Sequence, residues 1–173
     1  MTDPRPYHVL GYGTLLGTQF FQSFVGGVVA FRALPRPQFA SLQSAIFPIY
    51  FSLQTALPVA VALTASSGGR VLGLLGLVSE EYRYSTLLPL ATVAVTGLIN
   101  NVFLRPLTIN IMRERKHQET RDGKKSYDPA PHSKEMQALN KKFGRIHGAS
   151  SLINLAAFLA TIYYGVVLSK KLE

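Results

Sequence analysis

"FGRIHGASSLIN" (143–154) is the stretch on which the reading of this chain turns. A histidine placed three and four residues before two serines suggests the base and nucleophile of a hydrolase. The same letters also suit the wetted face of a helix entering a membrane. The residues that follow favour the second reading. Residues 148–168 carry no charge, and about 20 such residues, at about 1.5 Å each, cross about 30 Å of hydrocarbon.

Working outward, three more blocks have the same character, at residues 7–31, 39–65 and 84–104. None contains a charged residue, and all nine acidic residues lie outside the four blocks. A soluble helix carries charge on its outer face, so blocks without any read as transmembrane helices. The expected fold is all-α: a polytopic membrane protein with four transmembrane helices in a bundle. It would form a single membrane domain over residues 1–173, with a basic amphipathic helix in the third connector, residues 105–147. There is no cysteine, which excludes disulfides and thiolate metal sites. The start, "MTDPRPYHVLGYG", has neither a basic n-region nor a cleavage site. It reads as a retained first helix, and it lacks the Arg-rich character of a matrix presequence.

Lys and Arg divide unevenly between the two sides. The first and third connectors hold thirteen and the opposite side five, so the positive-inside rule puts those connectors in the cytosol. The third connector has eleven basic against five acidic residues, a net +6. Beside two spans, that charge suits anionic lipid headgroups, at up to about 1 kcal/mol per Lys or Arg. It does not point to nucleic acid. A solvated loop that merely obeys the topology rule is the alternative. Within the connector, Ser133 is a candidate N-cap, and Met136, Leu139, Phe143 and Ile146 form one apolar stripe opposite Lys134, Lys141 and Lys142. This reads as an interfacial helix leading into span four, or as a cytosolic helix packed on its neighbour.

The opening question can then be answered. His147, Ser150, Ser151 and Asn154 fall on one helical stripe just inside the membrane. Hydrolysis would need a group orienting the histidine and an oxyanion donor set. No carboxylate lies in any span, and "HGASS" is not a nucleophile elbow. No catalytic residue is therefore expected. The stripe reads as intramembrane packing, with Asn100 and Asn101 of span three at matching depth as its partners. Gly13 and Gly17 give a small-xxx-small spacing suited to close helix contact. His8, Tyr12, Gln19 and Gln22 share one face of span one. His8, Gln19, Gln22 and Gln54 could line a polar cavity, or the glutamines could simply bond one another. The absence of intramembrane charge disfavours proton-driven transport. His117 and His132 match no metal-site spacing.

"FRALPRPQFASLQSAIFPIYF" (31–51), "NNVFLRPLTINIM" (100–112) and "FGRIHGASSLINL" (143–155), together with "GTQFFQSFVGGVVAFR" (17–32), resemble the signature blocks of the transmembrane protein 205 family. The resemblance covers nearly the whole chain, leaving variable stretches at 66–83 and 119–135. It implies a small four-span protein of an internal membrane, the mitochondrial outer membrane or endoplasmic reticulum. It also implies a link to lipid balance in fungal relatives and to platinum resistance in animal ones. The chain departs from animal members in having no tryptophan. With no cysteine and only three methionines, it offers few soft ligands for direct platinum transport.

The expectation is a non-enzymatic membrane protein without cofactor. Arg105, Arg113, Arg115, Lys141, Lys142 and Arg145 would bind anionic lipid, a membrane protein partner or a second copy of the chain. The alternative is a small-solute transporter or channel built around Gln19, Gln22 and Gln54.

Overall fold

A computed structural model describes residues 3–68 and 70–170. Four helices are long and apolar enough to cross a membrane: α1 (Arg5–Ala33), α2 (Arg36–Thr64), α4 (Glu80–Asp122) and α5 (Lys134–Ser169). A two-residue hairpin, β1 (Ser66–Ser67) and β2 (Arg70–Val71), and the short α3 (Gly73–Val78) join α2 to α4. The long helices run up and down as a ring in which α1 packs on α2, α2 on α4, α4 on α5 and α5 on α1. The chain is an all-α bundle turned inside out relative to a soluble one. Its outer surface is apolar, with Leu10 69% and Leu152 68% exposed, as a surface solvated by lipid tails requires. In α3, Leu74 and Leu75 point outward while Leu77 is buried, which suits a segment too short to span and lying at the interface.

Small and polar residues, not bulky apolar ones, set the helix separations. A side chain at Gly97 would come within 2.8 Å of Thr55 Oγ1 and 3.0 Å of the Gln54 backbone, so glycine there lets α4 lie against α2. At Gly165 a Cβ would collide with the Tyr12 hydroxyl, which rests on α5 at that point. The small-xxx-small pair of span one does something else. Gly13 and Gly17 meet nothing within 4 Å, so the expected close contact is not made within the chain and this face looks outward.

Internal prolines do not interrupt the helices. Pro48 and Pro58 lie inside an unbroken α2. Pro89 and Pro106 each stand two residues after a π-helical turn, Arg83–Leu87 and Asn100–Leu104. The widened turn accommodates the missing N–H and the bulky ring without ending the helix. Span three therefore runs through Arg105 and Pro106 to Asp122. Gly123, at φ 62°, ends it in the left-handed conformation, which glycine adopts at no steric cost. Ser133 Oγ accepts from the Met136 N–H at 3.1 Å and so starts α5, a single 36-residue helix.

That continuity decides the third connector. A helix coaxial with span four cannot also turn to lie along the interface. The basic amphipathic stretch packs instead on the extension of α4, with Met136 fully buried and the Arg115 guanidinium 4.6 Å over the Phe143 ring. The pair forms a hairpin reaching about 20–27 Å beyond the spans at about 1.5 Å per residue.

Candidate functional site

Leu15, Leu57, Val93 and Ala157 make one apolar layer across the four helices. One turn further toward the α1–α2 connection, steps of three or four residues keep the same faces inward. They bring Gln19, Gln54, Gly97 and Asn154 into the next layer. Gln19 lies about 21 Å from either end of α1 and Gln54 about 15 Å from the end of α2, at about 1.5 Å per residue. Both are 1% exposed, and among the described residues neither amide oxygen nor amide nitrogen has a hydrogen-bond partner. Leaving such a group buried and unpartnered costs about 1–3 kcal/mol.

Beside them the polar groups are satisfied. Asn100, fully buried, donates through Nδ2 to Asn154 Oδ1 at 3.0 Å. Its own Oδ1 accepts from the Ser150 hydroxyl at 2.7 Å. The rest of the expected stripe lies elsewhere. Asn101 donates to Ser52 Oγ at 3.2 Å and accepts from Arg105 Nε at 3.1 Å. Ser151 is exposed, and His147 stacks on Phe143 at 5.6 Å between ring centroids. The reason is angular: the stripe is wider than the α4–α5 contact, so only its inner edge meets a neighbour.

The four residues expected around one cavity also separate. His8 is at the far end of the bundle, with Nε2 2.7 Å from the Tyr164 hydroxyl and Nδ1 3.2 Å from Thr64 Oγ1. Tyr12 completes this cap, edge-on to Tyr164, its hydroxyl donating to the Thr161 carbonyl at 3.4 Å. Gln22 donates through Nε2 to Gln43 Oε1 at 3.1 Å. Gln19 and Gln54 alone stay together in the core. Thr64, Tyr164 and Gln43 complete these contacts, and the sequence marks only Gln43, as one of few polar residues in span two.

Between α1 and α2 the surface opens into a groove of about 420 Å³, lined by residues that include Thr18, Gln22, Tyr50 and Leu53. It continues into a second hollow of about 540 Å³ that shares Phe21, Gln22 and Ile46 and runs toward Leu34. The π turn Phe21–Gly26 borders both.

The two ends of the bundle differ in charge. At one end each long helix brings an arginine to the edge of its apolar segment: Arg32, Arg36, Arg105 and Arg145. No salt bridge among the described residues uses any of these four. Arg36 lies 3.6 Å over the Phe31 ring and Arg105 is half-buried against Asn101. At the other end Arg5 pairs with Asp3 at 2.8 Å and Arg83 with Glu80 at 3.4 Å. In the hairpin, Arg113, Lys141 and Arg145 are exposed. Lys142 pairs with Glu114 at 3.7 Å, and Arg115 is committed to Phe143. Glu119 accepts from the Ser126 hydroxyl at 2.6 Å and N–H at 3.0 Å, with Lys116 and Lys125 within 4 Å. Burial alone would raise its carboxyl, but Ser126 and the two lysines hold it below the ordinary carboxylate range. Among the described residues no three His, Asp or Glu converge on a metal position.

Residues 10–117, more than half the chain, match the family described as Domain of unknown function (DUF4149). A relative, Xanthocillin biosynthesis cluster protein D of Aspergillus fumigatus, is 36% identical over 167 residues, covering 96% of this chain and 90% of the relative. No solved structure matches. The chain belongs to the DUF4149 family.

Proposed function

We propose that this member of the DUF4149 family is a non-enzymatic multi-pass membrane protein that gathers anionic lipid at its cytosolic face. The finer kinship, with the transmembrane protein 205 family, is part of the proposal, as are an internal membrane as its location and a role in lipid balance. The observation that carries it is the arginine edge. Among the described residues, Arg32, Arg36, Arg105 and Arg145 mark four helix crossings at one end with no salt bridge to a carboxylate, while at the other end Arg5 and Arg83 are paired and only Arg70 and Lys170 are unbridged. Near a bilayer each cation contributes up to about 1 kcal/mol toward anionic headgroups, an attraction that salt screens.

The hairpin takes a smaller part than its net charge suggests. Lys116, Lys125 and Lys142 are engaged with Glu119 and Glu114. Its tip stands more than about two Debye lengths, roughly 16 Å at physiological salt, from the span ends. The lipid-facing cations are those at its base, with Arg113 and Lys141 a turn or more further out. The relative's name places that protein in a biosynthesis cluster, and membrane work on behalf of such a cluster is compatible with this reading.

Full-length protein in bilayers of mixed phosphatidylserine and phosphatidylcholine, probed with spin-labelled lipids, tests it. Anionic lipid should be enriched in the motion-restricted shell, less so at high salt. Replacing the four arginines by glutamine should remove the preference. Equal restriction of both lipids by the unaltered chain would refute the proposal.

A further inference from the structure

Independently of the lipid reading, we infer that the Gln19–Gln54 layer is a binding site for a small uncharged molecule that dissolves in the bilayer and carries a hydrogen-bonding group. The groove between α1 and α2 is its lateral approach.

Two other polar clusters within the apolar part of the bundle show what mere packing looks like. Among the described residues, the remaining unpartnered buried side-chain atoms, Arg115 Nε and Asn140 Oδ1, lie outside it in the hairpin. Asn100 bonds with Asn154 and Ser150, and Gln22 with Gln43. Gln19 and Gln54 break that pattern. Four amide atoms, two donors and two acceptors by kind, are enclosed at mid-depth without a partner, where water is scarce and irregular satisfaction is costly. An amide offers both N–H and C=O, so the complementary ligand presents an acceptor, a donor or both. It is uncharged because none of the four apolar blocks supplies a counter-charge, and an uncompensated ion at this depth is strongly disfavoured.

The approach is as specific as the layer. Thr18 and Leu53, each next in sequence to a layer glutamine, line the mostly apolar groove. Gln19 and Gln54 themselves lie buried behind its wall, so a ligand reaches them by parting α1 from α2 there. The groove's volume of about 420 Å³ falls in the range of small-molecule sites. The π turn Phe21–Gly26 begins two residues beyond Gln19. Such turns replace the i→i+4 ladder with i→i+5 bonds, so α1 departs from regular helix where a ligand would pass. An apolar body would lie along Phe21, Ile46 and Ile49 while its polar group meets the amides.

The test uses full-length protein in nanodiscs and a diazirine-bearing decanamide as probe, with labelled peptides mapped by mass spectrometry. Labelling should saturate on the groove segments of α1 and α2. Unlabelled decanamide should compete about tenfold better than decanoate, the same chain with a charge. Ile49→Trp, at a 65% exposed position on the groove wall, fills the approach without touching the core and should cut labelling about tenfold. The double variant Gln19→Leu/Gln54→Leu should do the same. Three results would overturn the inference. One is labelling spread evenly over the exposed faces of all four helices, and another is decanoate competing equally. The third is unchanged labelling in the double variant, which would mean that the amides hold only water. If the double variant does not fold, Ile49→Trp and the competition still decide. Loss of anionic-lipid enrichment in the arginine variants would leave this result untouched.

Discussion

The cap at one end of the bundle and the layer at its middle are both polar, both buried and both built from α1, α2 and α5, yet they are finished differently. In the cap, His8 lies between Thr64 and Tyr164, and Tyr12 reaches the Thr161 carbonyl. In the middle layer Gln19 and Gln54 face the core with nothing to bond. A membrane interior makes an unmet polar group expensive. A completed network is therefore architecture, and an incomplete one is a place left for something else.

Substitutions can break or sharpen this contrast, and the largest effect belongs to the cap. Gly165→Leu would drive a side chain into the Tyr12 hydroxyl. It should lower stability by about 3 kcal/mol, the upper end for overpacking, seen as a fall in Tm in detergent. Asn154→Leu should cost about 2 kcal/mol, because it strands the buried Asn100 amide. Tyr164→Phe removes the hydroxyl beside His8 and should cost about 1 kcal/mol, as intramembrane hydrogen bonds generally do.

The glutamine layer predicts the opposite sign. Gln19→Leu/Gln54→Leu in the empty protein should be neutral or stabilising by up to about 1 kcal/mol, since no hydrogen bond is lost. A loss as large as that of Tyr164→Phe would show the two regions to be equivalent. The smallest effect concerns the hairpin. Glu119 is held below its ordinary range, so its contribution is present at neutral pH and disappears as pH falls through that range. The protection factor of the Ser126 amide against hydrogen exchange should fall on acidification, and Glu119→Gln should abolish that pH dependence. Unchanged protection at low pH would remove Glu119 as the anchor of the turn.

Much of this was legible beforehand, for identifiable reasons. Charge-free blocks of 20 residues have one common solution, so the four spans follow from the sequence. Depth reckoned from Arg105 and from the start of span four puts Asn100 level with Ser150 and Asn154, which do meet. Depth says nothing of angle, however. Asn101 turns to Ser52, while His147 and Ser151 face away from α4. Gly13 and Gly17 have the right spacing for helix contact, but among the described residues a side chain at either would meet nothing within 4 Å. Pro106 marks the end of the apolar block, and a π turn just before it lets the helix continue into the connector. Of the two readings of the helix that follows, packed on its neighbour or lying at the interface, the structure takes the first.

By itself the sequence determined which segments cross the membrane, which end gathers the cations and that the fold is all helix. These depend on transfer energies that each segment feels alone. Which polar residues within the spans complete one another, and that Gln19 and Gln54 do not among the described residues, was decided only by how four helices rotate and close against each other. That rotation is fixed by contacts such as Gly97 on Thr55 and Tyr12 on Gly165, which exist only between segments far apart in the chain.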